Sequence, residues 1–168
     1  MLDKLFVRWI IRKLQKENCF QVSDARIDER IKRFYKSDSL STWRVWGDER
    51  RVKLGEHTQV NNALFNTVSG SITVGDYTFF GHNVSLLTGT HNYHLKNIRR
   101  QSCVPNSGLD IYIGKGVWLA SNVTVVAPCS IGDNAVVAAN SVISGDVRAN
   151  ALYAGTPAKY IKDIYFEE

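Results

Sequence analysis

Four histidines are the residues best suited to chemistry in this 168-residue chain, and three of them lie close together in the sequence. These three are His82, His91 and His94, and His57 lies further upstream. An imidazole changes its charge near neutral pH, so such a residue can act as a general base. Three histidines can instead hold a catalytic zinc ion, which takes three protein ligands and keeps one position open. The residues alone leave both roles open, and a histidine in a polar loop can also simply be solvated.

The secondary structure around these histidines is predicted by a repeat of six residues. Large aliphatic or aromatic side chains recur at every sixth position in two runs. The later run is Ile113, Leu119, Val125, Ile131, Val137 and Ile143, and the earlier one is Val68, Val74, Phe80 and Leu86, with Leu54 and Val60 as a further pair. A helix would need recurrence near 3.6 residues, and a long strand would need strict alternation. A period of six therefore predicts short strands joined by regular bends, three to each turn of a triangular prism with the aliphatic residues inside.

A polar stretch without the repeat, residues 88–110, separates the two runs. Because both flanks keep the spacing, we interpret it as a loop extruded from one corner of the prism. We expect residues 1–50 to form an N-terminal helical and polar segment, and residues 51–168 to form the β-helix with a short C-terminal helix. The apolar residues of the first segment that share one helical face are Leu2, Leu5, Phe6, Trp9, Ile10 and Leu14. Such a helix would plug the prism or pack between subunits, or, alternatively, rest on anionic lipid.

Composition and charge exclude several classes of protein. Hydrophobic residues make up 44% and charged residues 22%, which is typical of a folded domain, and no apolar run is long enough to span a bilayer. Residues 1–53 hold 14 Lys and Arg against 8 Asp and Glu (+6), whereas residues 54–168 hold 7 against 8 (−1). This basic first third carries no nucleic-acid-binding motif, so we expect no nucleic-acid partner. Three scattered cysteines favour a reducing compartment, that is, the cytoplasm.

Together with the repeat, three motifs resemble the hexapeptide-repeat acyltransferase family. They are VGDYTFFGHNVSLLTGTH at 74–91, IGKGVWLASNVTVVAPCSIGDN at 113–134 and YAGTPAKYIK at 153–162. They are most similar to the galactoside and maltose O-acetyltransferases and to relatives that acetylate surface polysaccharides. The resemblance implies an all-β fold, a left-handed parallel β-helix, with acetyl-CoA as co-substrate and no metal. It also implies a homotrimer in which acetyl-CoA lies between neighbouring subunits, one of which contributes the loop.

The same resemblance implies roles for individual residues. His91 would be the general base that takes a proton from a sugar hydroxyl, and the backbone amide of Ser121 would stabilise the oxyanion. Trp118 would point outward and shape the active site, or serve as a packing anchor in the trimer. The other implied residues are Asn66, with Asn61 as second choice, and His94 toward the acceptor, and Ala120, Ala139, Lys159 and Lys162 toward CoA. Arg99 and Arg100 in the loop would clamp a carboxylate of an acidic sugar or merely keep the loop soluble.

We therefore expect an acetyl-CoA-dependent O-acetyltransferase for a sugar hydroxyl in capsule or lipopolysaccharide biosynthesis, in the cytoplasm or at the inner face of the membrane. One alternative is an N-acetyltransferase for a nucleotide-linked amino sugar, although an amine needs less help from a base such as His91. Another is a metalloprotein similar to γ-carbonic anhydrases, whose ligand spacing the three clustered histidines do not reproduce. A β-helix scaffold without chemistry would not require the TGTH and VWLAS motifs.

Overall fold

The computed structural model describes residues 42–167, which fold into a three-sided parallel β coil. Each turn of the coil adds one short strand or bridge to each of three sheets, named here face 1, face 2 and face 3 in the order in which the chain visits them. Within the described residues, no helix is both long enough and apolar enough to cross a bilayer. The predicted N-terminal helix lies outside the described residues, and the division into residues 1–50 and 51–168 stays a prediction.

The strands are short and, apart from the last pair, parallel in every pairing of the described chain. Face 1 contains β1 (Arg44–Trp46), β3 (Leu64–Asn66), β6 (Ser85–Leu87), β9 (Thr124–Val126) and β12 (Val142–Ile143). Face 2 contains β2 (Val52–Leu54), β4 (Ile72–Val74), β7 (Ile111–Ile113) and β10 (Cys129–Ile131). Face 3 contains β5 (Phe79–Phe80), β8 (Trp118–Leu119), β11 (Val136–Val137), β13 (Ala151–Gly155) and β14 (Ala158–Asp163). Because β1 already pairs with β3, the coil includes residues before position 51.

The core is a column of the residues that the six-residue repeat predicts to point inward. Every member of the later run is at most 3% exposed, as are Val74, Phe80 and Leu86 of the earlier run. Each such side chain contributes about 1.5–3 kcal/mol when it leaves water. The prediction of an inward aliphatic at every sixth position is confirmed for these coils. Two members of the earlier run are exceptions, since Leu54 in the first coil is 37% exposed and Val68 is only half-buried.

An asparagine ladder holds the edge between face 3 and face 1, which we call the 3–1 edge. Its rungs are Asn62, Asn83, Asn122 and Asn140, joined by side-chain amide hydrogen bonds of 2.8, 3.3 and 3.2 Å. The last three adopt left-handed backbone conformations, with φ of 59°, 61° and 60°. Asparagine tolerates this conformation better than most residues. The ladder therefore repeats the same bend in each coil. It also holds the residue before each asparagine at an equivalent position along this edge.

The extruded loop leaves the edge between face 1 and face 2, which we call the 1–2 edge. Strand β6 ends at Leu87, β7 begins at Ile111, and a six-residue helix, α1 (Asn97–Ser102), lies between them. The returning chain is fastened to the coil, because Leu109 N donates to the carbonyl of Ser69 at 3.1 Å. Nη1 of Arg51 also donates to the carbonyl of Asn106 at 2.9 Å. The base of the loop thus has fixed contacts with the preceding coils.

The prediction of a short C-terminal helix is wrong. After β13, a turn at Thr156–Pro157 sends the chain back as β14, which pairs antiparallel with β13. The last strand of a parallel stack leaves one row of its backbone N–H and C=O groups without hydrogen-bond partners. Strand β14 provides those partners for β13. Strand β14 then forms the edge of face 3, and its exposed Lys159 and Lys162 discourage further strand addition.

Candidate active site

The ring of His91 lies exposed at the start of the extruded loop, at the 1–2 edge. Its Nδ1 is 2.9 Å from the carbonyl oxygen of Arg100. A carbonyl oxygen only accepts hydrogen bonds, so Nδ1 carries the ring proton in the neutral form. The lone pair is then on Nε2, on the side of the ring away from this contact. This is the tautomer that a general base needs, with one nitrogen anchored and the other able to take a proton.

Asn66 lies beside the segment that leads to His91. It ends β3 opposite Leu87, and its carbonyl accepts hydrogen bonds from the backbone N and the hydroxyl of Thr88 at 3.0 and 2.8 Å. Its amide packs against Gly89, where an added Cβ would lie only 2.7 Å from Oδ1. Glycine at 89 therefore allows the loop to pass directly over the Asn66 amide. The structure thus brings Asn66 and the TGTH segment together, two residues before the candidate base.

Asn61, the second choice for contacting the acceptor, is engaged elsewhere. Its Nδ2 donates to the carbonyl of Phe80 at 2.7 Å, and its backbone is left-handed with φ of 44°. Both features belong to the bend at the 3–1 edge and link one coil to the next. The two asparagines are alike in sequence terms, but only the amide of Asn66 lies against the loop.

The remaining histidines do not join His91 in one cluster. His94 is exposed, with its ring 4.2 Å from that of Tyr93, and its backbone N donates to Oδ1 of Asn92 at 3.0 Å. His82 lies at the 3–1 edge, where its backbone N donates to Oγ of Ser121 at 3.2 Å. Among residues 42–167, no group of three or more His, Cys, Asp or Glu side chains converges on a common point.

A second group of predicted site residues lies at the 3–1 edge, around the backbone N–H of Ser121. The flanking amides are occupied, since Ala120 N donates to Val137 O at 2.9 Å and Asn122 N to His82 O at 2.8 Å. The N–H of Ser121 has no acceptor within the described part of the chain. In the coil below, the N–H of His82 donates to the Ser121 hydroxyl, but the position above Ser121 is Ala139, which has no hydroxyl. The absence of that oxygen leaves one donor at this edge for a ligand.

Trp118 is on the outer surface of face 3, two residues before Ala120. Its indole is 44% exposed, whereas Leu119 beside it is fully buried. The ring stacks on that of Phe79 in the coil below, at 5.7 Å between centroids and 16° between planes. A flat aromatic surface therefore lies on face 3, three residues before Ser121 in the sequence. Exposed Ala139 and half-buried Ala120 keep the same edge free of large side chains.

Lys159 and Lys162 lie on β14, away from the candidate base. Both are exposed, and Lys159 borders an open depression of about 270 Å³ at the C-terminal end of the coil. Ile143, Tyr153 and Tyr160 are among the other residues that line it. The structure thus places the two lysines on an edge strand and not on the helix that the sequence analysis expects.

Two arginines, Arg51 and Arg100, hold parts of the loop in place through contacts that the sequence does not indicate. Arg51 fastens the returning loop, and Arg100 donates from Nε to the carbonyl of Leu95 at 2.7 Å and from Nη2 to that of Tyr93 at 3.2 Å. Both bind backbone carbonyls, which every residue carries, so the sequence offers no signal for these contacts. The guanidinium of Arg100 is used within the loop and is not directed at an acceptor.

The site residues therefore form two groups on different edges of the coil. His91, His94 and Asn66 belong to the 1–2 edge, where the loop leaves. Trp118 and Ser121, with the two alanines, belong to face 3 and the 3–1 edge. Face 1 separates the two edges. The candidate base and the free amide are thus not next to each other in one chain.

Comparisons with known proteins identify the repeat. Residues 110–145 match the family described as bacterial transferase hexapeptide (six repeats). The chain is 34% identical over 119 residues to the putative lipopolysaccharide biosynthesis O-acetyl transferase WbbJ of Escherichia coli strain K12, a match that covers 66% of this chain and 60% of that protein. The chain spans about half of the length of the other curated relatives that it matches.

Solved structures show the same fold. A maltose O-acetyltransferase from Clostridium difficile 630 superposes with a TM-score of 0.63 at 24% identity, over 98% of this chain and 90% of that one. A hexapeptide-repeat acetyltransferase from Vibrio cholerae, solved with acetyl coenzyme A, gives 0.56 at 24% identity over 87% and 81%. The predicted left-handed parallel β-helix is confirmed. The chain thus contains the hexapeptide repeat and is similar to acetyltransferases with the same fold, as its sequence motifs indicate.

Proposed function

We propose that the chain is an acetyl-CoA-dependent O-acetyltransferase that acts on a sugar hydroxyl in surface polysaccharide biosynthesis. The observation that carries the proposal is the anchored ring of His91, whose Nδ1–H binds the Arg100 carbonyl and leaves Nε2 free on an exposed loop. Asn66 lies beside the same loop, and since its Oδ1 accepts from the backbone N of Val68 at 3.1 Å, its Nδ2 is the group that can hold the acceptor oxygen. The relatives named as O-acetyltransferases support this choice of reaction.

The reaction follows from these groups in one transfer. Nε2 of His91 takes the proton of the sugar hydroxyl while the sugar oxygen attacks the carbonyl carbon of the thioester. The carbonyl oxygen then carries the negative charge, and the free N–H of Ser121 is suited to donate to it. When the C–S bond breaks, the imidazolium returns its proton to the departing sulfur. An acetyl ester and free CoA result, and the ring regains its starting form.

The open 3–1 edge fits acetyl-CoA as the co-substrate. The edge offers an unpartnered N–H at Ser121 and only small side chains at Ala120 and Ala139, so that a narrow thioester arm can approach the backbone. The hexapeptide-repeat acetyltransferase from Vibrio cholerae, which has the same fold and was solved with acetyl coenzyme A, supports acetyl-CoA as the co-substrate. Lys159 and Lys162 remain candidates for contacts with its phosphates as point charges.

We further propose a homotrimer with the active site between subunits. One chain contributes His91 and Asn66 from its 1–2 edge, and its neighbour contributes Trp118 and the Ser121 amide from face 3 and its 3–1 edge. Such an arrangement explains why the two groups lie apart in a single chain. A cytoplasmic location, where acetyl-CoA and sugar precursors are available, belongs to the same proposal.

The test is acetyl transfer from acetyl-CoA to a panel of neutral, acidic and amino sugars, with free CoA as the readout. We expect one sugar class to accelerate CoA release well above the rate of thioester hydrolysis. The product should be an ester that hydroxylamine cleaves. A hydroxylamine-resistant amide would favour the amino-sugar alternative. If no sugar of the panel accelerates CoA release by the folded protein, both hypotheses are wrong.

A further inference from the structure

Arg100 contacts the segment around His91 with both its side chain and its backbone. Its guanidinium donates to the carbonyls of Leu95 and Tyr93, and its own carbonyl accepts from Nδ1 of His91. The first two contacts tie residues 93–95 to α1, and the third ties the ring to the same helix. Arg100 therefore links His91, Tyr93 and Leu95 to α1 through three hydrogen bonds.

The helix explains why this carbonyl is available. The last carbonyls of any helix lack an N–H partner within it. In α1, the N–H of Cys103 goes to the carbonyl of Arg99, and the next carbonyl, that of Arg100, accepts from the imidazole. The ring of His91 thus lies within hydrogen-bond distance of a carbonyl near the C-terminal end of α1, a helix of six residues. A shift of α1 relative to residues 93–95 would break this match.

We propose that Arg100 is a positioning residue for His91, an inference that rests on the proposed function. The guanidinium holds residues 93–95 against α1, so that the Arg100 carbonyl stays in place to bind Nδ1–H. The ring then keeps one tautomer, with its basic Nε2 directed away from α1. Arg100 acts through His91 and does not touch the acceptor.

The planar guanidinium suits this task better than an ammonium group. Its two donors reach two different carbonyls at once, whereas a lysine ammonium on a flexible chain is a single point charge. Arg99 offers a matched control, because it is adjacent, carries the same charge and lies in the same helix. Within residues 42–167, the side chain of Arg99 makes no hydrogen bond and no ion pair.

The first experiment reads the tautomer directly in the whole protein without substrates. With ¹⁵N-labelled histidine and His91→Gln to assign the signals, NMR should show Nδ1–H for His91 at a pH where the ring is neutral. In Arg100→Gln and Arg100→Lys, the signals should move toward the Nε2–H form, whereas Arg99→Gln should leave them unchanged. Circular dichroism and the melting temperature establish that each variant is folded. If the Nδ1–H form persists in both folded Arg100 variants, the proposal is wrong.

The second experiment is kinetic. A misplaced base lowers the rate of the chemical step, so kcat should fall about 10- to 100-fold in Arg100→Gln, and KM for acetyl-CoA should stay the same. The kinetic control is Lys96→Gln, which removes an exposed positive charge of the same loop outside the candidate site, and an equal loss of kcat there would contradict a specific role for Arg100. Failure of the proposed function would look different, since the wild-type protein would then transfer no acetyl group while the NMR difference between the Arg100 and Arg99 variants remained.

Discussion

Ala139 occupies, one coil above Ser121, the register position that Ser121 itself occupies above His82. The lower pair is joined by a hydrogen bond from the backbone N–H of His82 to the Ser121 hydroxyl at 3.2 Å. The upper pair cannot form that bond, because alanine lacks the hydroxyl. A single methyl group in place of a serine side chain thus leaves the Ser121 N–H free to bind a ligand.

Restoring the hydroxyl should therefore weaken catalysis. In Ala139→Ser, the new Oγ can accept from the Ser121 N–H as Ser121 Oγ does from His82, and it then competes with the oxyanion. Since loss of an oxyanion-hole donor costs about 10²–10³ in kcat, we expect a decrease of at least about tenfold. Steady-state kinetics with a saturating acceptor give the measurement.

Ala139→Gly is the matched variant, because it changes the same position without adding an acceptor. Its kcat should fall less than that of Ala139→Ser. Equal values for the two variants would show that the Ser121 amide does not carry the charge of the transition state.

Removal of the candidate base should affect the rate and not the affinity for acetyl-CoA. In His91→Ala, kcat should fall about 10²- to 10⁴-fold, the usual contribution of a general base. Titration calorimetry should show the same Kd for acetyl-CoA, since the ring acts on the acceptor hydroxyl and is assigned no contact with the coenzyme. His57→Ala is the control, because this exposed histidine stacks on Tyr77 and faces neither site group. An unchanged kcat in His91→Ala would refute the assignment.

The fold could be predicted from sequence because its cause is local and repeated. Inward positions such as Ile113 and Leu119 recur at a fixed spacing, and every one of them meets the same narrow interior. The error at the C-terminus has a non-local cause. Residues 158–163 become a strand because β13 has a free edge, a fact that their own composition does not record.

The candidate site could be predicted only in part. The TGTH and VWLAS motifs are side-chain patterns, and they indicated His91, Trp118 and Ser121. The choice between Asn61 and Asn66 depends on which amide faces the loop, and a sequence does not show this. The part played by Arg100 depends on backbone carbonyls, which have no sequence signature.

The two cysteines of the described residues should differ sharply in reactivity. Burial raises the pKa of the Cys129 thiol to about 11, and its S–H donates to the carbonyl of Gly145, whereas Cys103 lies exposed in the loop. Only the thiolate reacts with iodoacetamide, so at pH 8 Cys103 should be labelled and Cys129 protected. Because the Cys129 pKa is raised, its labelling rate should increase about tenfold per pH unit until the pH approaches 11.

Cys19 is first replaced by serine, so that these two thiols are the only ones in the chain. Peptide mass spectrometry then gives each labelling rate, and denaturant should make both sites react alike. Labelling of Cys129 at the rate of Cys103 in the folded protein at pH 8 would contradict the burial that the structure shows.

The separation of the two site groups makes the proposed trimer testable by complementation. His91→Ala removes the base from the 1–2 edge, and Trp118→Ala removes the aromatic surface next to the 3–1 edge. Each variant alone should be impaired at all of its sites. When the two are co-expressed in equal amounts, about one quarter of the interfaces should combine an intact loop from one chain with an intact edge from another. Purification through two different tags selects the mixed trimers, each of which contains one such interface in three, so that their kcat per site should approach about one third of the wild-type value.

The double variant His91→Ala/Trp118→Ala, mixed with either single variant, is the control. Mixed with His91→Ala, it offers no intact loop, and mixed with Trp118→Ala, it offers no intact edge, so neither assembly should recover activity. If verified mixed assemblies of the two single variants also stay inactive, each site draws both groups from the same chain. The loop would then have to carry His91 across face 1 to the Ser121 amide, a rearrangement that would break the contacts of Arg51 and Leu109 at its base.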